Sequence, residues 1–140
     1  MVDVVVSTRL DGRFRLSRFE LSGMVDGLVE AMGIEVGRFT LRLVDDAEIS
    51  RLNLAFLGCI GPTNVLSFPV DANEESVDES WGEIALSVDT LARETDLYGQ
   101  EPAEHLARLL AHAILHLTGM DHGPEMDMLT EAGVERFRTD

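Results

Sequence analysis

Two periodicities alternate along this chain. Val2–Ser7 is a short apolar run followed by the Asp11-Gly12 turn signal, which predicts a first strand. From Ser17 onward the spacing predicts a helix, with Phe19, Leu21, Met24, Leu28 and Met32 on its buried side. The Ser17 hydroxyl caps it and Gly33 ends it. Phe39–Val44 alternates apolar and polar positions as a half-buried strand does. Asp45 or Asp46 then caps a helix whose Ile49, Leu52 and Phe56 fall at helical spacing, and Gly58-Cys-Ile-Gly-Pro62 breaks it.

The second half repeats the alternation. Val65-Leu-Ser-Phe68 predicts a short strand stopped by Pro69, the acidic stretch from Asp71 to Glu79 an exposed loop, and Gly82–Val88 another strand. A helix starting near Asp89 ends at Gly99, and Pro102 stands where the next one opens. From Leu106 to Leu117 that helix is apolar nearly all round, interrupted mainly by Arg108, His112 and His116, so it is expected to be buried and central. Pro124 opens a last helix with Met128, Val134 and Phe137 as its packing residues. With no repeat, heptad run or low-complexity linker, residues 1–140 read as a single domain of the α/β (α+β) class.

The buried helix carries the chemistry. His112 and His116 lie four apart, so their Cβ atoms stack on one face roughly 5–6 Å apart. Gly119 tolerates a positive φ and lets the chain turn, which swings His122 back toward them. Structural zinc sites usually close four protein ligands, whereas hydrolytic sites keep three and leave one place for water. Three histidines with no neighbouring cysteine therefore favour one catalytic Zn²⁺ per chain; nickel, copper and iron also suit imidazole. The His-x3-His-x2-Gly-x2-His spacing matches the ligand frame of metzincin proteases, but Ala113 stands where their general-base glutamate would be, so peptide hydrolysis is disfavoured. His105, seven residues before His112, is either a hydrogen-bond partner for a ligand or a half-exposed histidine of the first helical turns.

Composition narrows the picture. The formal net charge is −15, which opposes tight nonspecific binding of nucleic acid, so any RNA contact must be local. All eleven basic residues are arginine. Arg9, Arg13, Arg15 and Arg18 cluster around the first turn, as a phosphate-binding patch or simply as a solvated turn. The single cysteine, Cys59, excludes an internal disulfide, fits a reducing cytoplasm, and is expected to be a small packing residue. Met1–Ser7 lacks the features of a secretory signal, and no apolar stretch approaches the roughly 20 residues of a membrane span.

Leu52-Asn53 with Pro62-Thr-Asn-Val-Leu-Ser-Phe-Pro69, then Gly82-Glu-Ile84, then His112 to His122 with its closing Gly119-Met-Asp-His122, together resemble the YbeY family of bacterial endoribonucleases, also called rRNA maturation factors. The order and spacing agree over most of the chain. The resemblance implies a small mixed β-sheet packed with helices around the metal-bearing helix, and zinc on His112, His116 and His122. It further implies a cytoplasmic, metal-dependent, single-strand-specific endoribonuclease acting in rRNA maturation at the 16S 3′ end, with ribosomal RNA and the small subunit or its proteins as partners. Asn64, Ser67, Glu83 and Asp121 are candidates for supporting the ligands or facing substrate. The chain departs from the family pattern at Leu57, which replaces an arginine, and at Ile60 and Asn64, which replace aspartates. These departures keep open a ribosome-assembly factor with weak or lost catalysis. A general zinc hydrolase also remains, because three histidines specify metal better than substrate.

Overall fold

The computed structural model describes residues 2–6, 17–69, 80–99 and 102–138. The Asp11-Gly12 turn, the acidic stretch from Asp71 to Glu79, and Arg9, Arg13 and Arg15 lie outside them. The elements run β1 (Val2–Val6), α1 (Arg18–Met32), β2 (Phe39–Val44), α2 (Asp46–Leu57), β3 (Val65–Pro69), β4 (Gly82–Ser87), α3 (Val88–Tyr98), α4 (Pro102–Leu117) and α5 (Pro124–Glu135).

Local signals set most boundaries. Ser17 and Glu20 form a reciprocal capping box at the start of α1, and Gly33 ends it at φ 67°. Asp45 caps α2 by accepting from the Glu48 amide. Ser87 caps α3 by accepting from the Thr90 amide, so the helix opens at Val88, beside the expected Asp89. Pro69 belongs to β3 instead of stopping short of it; β3 is the sheet edge, where a missing N–H costs no ladder bond.

The four strands are ordered β1-β2-β4-β3, with β1, β2 and β4 parallel and β3 antiparallel to β4. Parallel neighbours require crossovers, and α1 supplies the one between β1 and β2. Two apolar clusters form. Phe39, Leu41 and Leu43 of β2 with Ile84 and Leu86 of β4 pack against α1 and α4. Val44, Ala85 and Leu66 meet Ile49 and Leu52 of α2 in a smaller cluster. The expected burial of α4 is observed, from Leu106 and Ala107 through Leu117.

Gly82, at φ 142°, allows a close approach of β3 to β4: a Cβ there would run into the Phe68 carbonyl oxygen.

Several expected packing residues are instead on the surface. Phe19 is 87% exposed, being two residues and thus roughly 200° around the helix from Leu21. Met128 is likewise two residues from buried Met126 and Thr130 and faces out. Phe56 is on the inward stripe but at the end of α2, where it stays exposed beside Phe68, with ring centroids 5.1 Å apart. Cys59 is exposed in the loop after α2, not packed. No helix of the described residues is long and apolar enough to cross a membrane.

Candidate metal centre

Helix α4 ends in a turn that the sequence anticipates. The Met120 amide donates to the Leu115 carbonyl and the Gly119 amide to that of His116, while Gly119 takes φ 90°. This left-handed exit reverses the chain and returns His122 to the α4 face. The His112 and His122 ring centroids are 5.9 Å apart, and those of His116 and His122 4.7 Å.

These spacings test the fit to a metal. Two imidazoles on one tetrahedral Zn²⁺, with Zn–N about 2.0–2.1 Å, place their centroids roughly 5 Å apart, between the two observed values. Nitrogen chemistry agrees. His116 Nδ1 is 3.1 Å from the Met120 carbonyl oxygen, which can only accept, so Nδ1 carries the proton and Nε2 keeps its lone pair. His112 Nε2 is buried with no hydrogen-bond partner. Burial, then the neighbouring His116 and His122, pushes the His112 imidazole below its ordinary range, which favours the neutral ligand form.

The rings nevertheless meet edge-on, at 73° and 77°, and among the described residues no group of three or more His, Cys, Asp or Glu side chains is placed to hold a metal ion. Residue type, number and ring position suit a three-histidine site; the aim of the nitrogens does not yet converge. His122 is exposed and is the ring with room to turn.

Asn64, Val65, Ser67, Leu109 and Ala113 line the cleft of about 280 Å³ around the three rings. Ser67 donates to the Ala113 carbonyl at 3.0 Å, clamping edge strand β3 to α4. Asn64 donates to Glu94 of α3. His105 is buried, not half-exposed, and its Nε2 stands 3.3 Å from Glu94. A carboxylate only accepts, so Nε2–H donates, and buried Nδ1 is left without a partner. His105 thus supports the cleft through Glu94 and Asn64, with no direct bond to a histidine of the trio.

A second arm of about 410 Å³ shares Val65, Ser67 and His116 with the first and extends along Phe68 and Pro69 to Leu57, Met120 and Asp121. Asp121 is exposed at this arm. Glu83 is in neither: it pairs with Arg42 at 3.1 Å, on the strand face shared with Phe68, opposite that of Ser67. The expected role for Glu83 beside the ligands is therefore corrected. Arg18 is exposed at the start of α1 and lines neither arm. Glu94 went unseen in the sequence, since nothing in a helical glutamate thirty residues after Asn64 announces the contact.

The description Endoribonuclease YbeY belongs to the family profile that matches residues 15–133. Relatives with that same description include proteins of Oleidesulfovibrio alaskensis, 38% identical over 91% of this chain and 88% of theirs, and of Nitratidesulfovibrio vulgaris, 40% identical over 88% and 86%. That of Paracoccus denitrificans is 38% identical over 84% and 75%. The solution structure of a Thermotoga maritima protein shares the fold, with TM-score 0.66 at 24% identity over 96% of this chain and 87% of that one. This chain belongs to the endoribonuclease YbeY family.

Proposed function

We propose that this chain is a metal-dependent endoribonuclease that cuts single-stranded ribosomal RNA, acting in maturation of the 16S 3′ end in the cytoplasm. His112, His116 and His122 hold one divalent cation, Zn²⁺ first among the candidates. The observation that carries the reading is the return of His122 to within 4.7 Å of the His116 ring across an open cleft. When bound, such a cation supplies a Lewis acid and a water of lowered pKa.

The chain's own residues prepare the place. The Met120 carbonyl sets the His116 tautomer, the Ser67 clamp keeps β3 against α4, and Glu94 fixes the Asn64 amide at the cleft wall. Leu57 offers no charge to a phosphate at the position where the family pattern has arginine. Loss of a single transition-state donor typically costs about 3–4 kcal/mol, so slow turnover is expected. Relatives described as endoribonucleases do not favour the alternatives of an assembly factor without catalysis or a general zinc hydrolase.

The test is elemental analysis of the purified chain, run beside cleavage of a structured ribosomal RNA fragment by wild type and His116→Ala. One metal per chain with cleavage lost in the variant supports the reading. Equal cleavage by both proteins overturns it.

A further inference from the structure

A chain of net charge −15 that handles RNA gains from contacts that do not rely on phosphate pairing alone. From Arg38 to Arg138, each described arginine is already paired with an aspartate or glutamate of the chain. Among the described residues no arginine lines either arm of the cleft.

The second arm has a different character. Its walls include Leu57, Leu66, Phe68 and Met120, with Phe68 backed by Phe56 and Leu57 60% exposed. Its one charged lining residue is Asp121, which repels phosphate and accepts hydrogen bonds. Among the described residues β3 is the last strand in the sheet, so the arm runs beside a sheet edge. The arm is continuous with the histidine cleft through His116. Its size, about 410 Å³, lies within the range of small-ligand clefts, ~300–1,000 Å³.

We propose that this arm is a nucleobase subsite, which seats the base beside the cleaved phosphate between Leu57, Phe68 and Met120 and reads an exocyclic amino group with Asp121. The assignment rests on the endoribonuclease reading. Every base offers a π-face to apolar and aromatic walls, so such contact adds affinity that does not depend on phosphate pairing. Adenine, cytosine and guanine carry an amino group for Asp121, and uracil does not. A duplex hides its bases in the stack, so the subsite also selects single strands.

The test uses the metal-loaded full chain and nuclease-resistant 2′-O-methyl hexanucleotides, with binding followed by fluorescence anisotropy. One abasic position is expected to weaken binding about tenfold, in line with stacking measurements elsewhere, and uracil there should bind more weakly than the amino-bearing bases. Leu57→Asp, at an exposed site, should flatten the abasic scan with no loss of thermal stability. Asp121→Asn should remove the discrimination against uracil. A scan flat to within about twofold in wild type overturns the subsite, as does an abasic effect that persists unchanged in Leu57→Asp. Cleavage of unmodified RNA by the same preparations separates the two ideas. A flat scan with cleavage abolished by His116→Ala sinks the subsite and spares the nuclease; a positional abasic effect with no cleavage by wild type keeps the subsite and sinks the nuclease.

Discussion

Asn64 donates its side-chain amide to both carboxylate oxygens of Glu94, at 3.1 and 3.3 Å. The pair explains why an amide suits this position, where the family pattern has aspartate: two carboxylates that close cannot both ionise without cost. Asn64→Asp is expected to lower stability by roughly 1–2 kcal/mol at pH 8. Such a pair binds a proton more tightly folded than unfolded, so its penalty is present at high pH and fades as pH falls. Urea denaturation at pH 8 and pH 5 measures this, and adding Glu94→Gln should restore stability. A deficit equal at both pH values argues against charge repulsion.

Removing His122 tests the metal reading from the loop side. His122→Ala leaves an exposed position empty and so should keep the fold, while dialysed protein loses its stoichiometric metal. Chelation of wild type should lower its melting temperature, since a ligand that binds only the folded state stabilises it. A variant that retains one metal per chain speaks for a site elsewhere.

Leu57→Arg restores a cation at the cleft mouth. Each phosphate neutralised on single-stranded RNA adds about 0.7 to the slope of log affinity against log salt. Affinity is thus expected to rise at low salt with that steeper dependence. An unchanged slope would mean that position 57 does not face the RNA backbone.

Asp46 ties the start of α2 to that of α3, accepting from Ser87, Thr90 and Arg93. Burial opposes its ionisation, but the hydrogen bonds from Arg93, Thr90 and Ser87 outweigh it and hold the carboxyl below its ordinary value of 3.8. A depressed carboxylate contributes stability that is complete above the unfolded value and lost as pH falls through the folded one. Asp46→Asn keeps an acceptor oxygen and should cost roughly 1 kcal/mol at neutral pH. Thermal midpoints from pH 6 down to pH 2 should show the gap between variant and wild type closing below pH 3.8.

Gly82→Ala probes the close approach of β3 to β4. With the Phe68 oxygen in its path and φ 142°, the added methyl is expected to cost about 3 kcal/mol or more and to loosen the edge strand. A melting temperature unchanged from wild type would show that β3 shifts freely.

Much of the fold was legible because its signals are local. Ser17, Asp45, Gly33 and Gly58 mark helix ends through hydrogen bonds within a few residues. The apolar run from Leu106 to Leu117 announces burial without reference to any partner. The trio of histidines is legible for the same reason, since helical pitch and one turn glycine span only eleven positions. Phe56 illustrates the limit: it has the inward phase of α2, yet it meets the sheet at the edge strand, beside Phe68, and stays exposed, because period alone does not reveal where a layer stops. Cys59 likewise follows a helix whose end stands clear of the core.

The sequence by itself determined the alternation of strands and helices, the buried central rod and the imidazole set near its end, because backbone sterics and side-chain spacing act over short stretches. Only the tertiary structure decided which distant residues share a cleft: Glu94 behind Asn64, Phe68 and Leu57 beside His116, and Glu83 turned to the other face toward Arg42. Those neighbours arise from strand order and register, where one residue of shift moves a side chain through the sheet, and no local pattern encodes that choice.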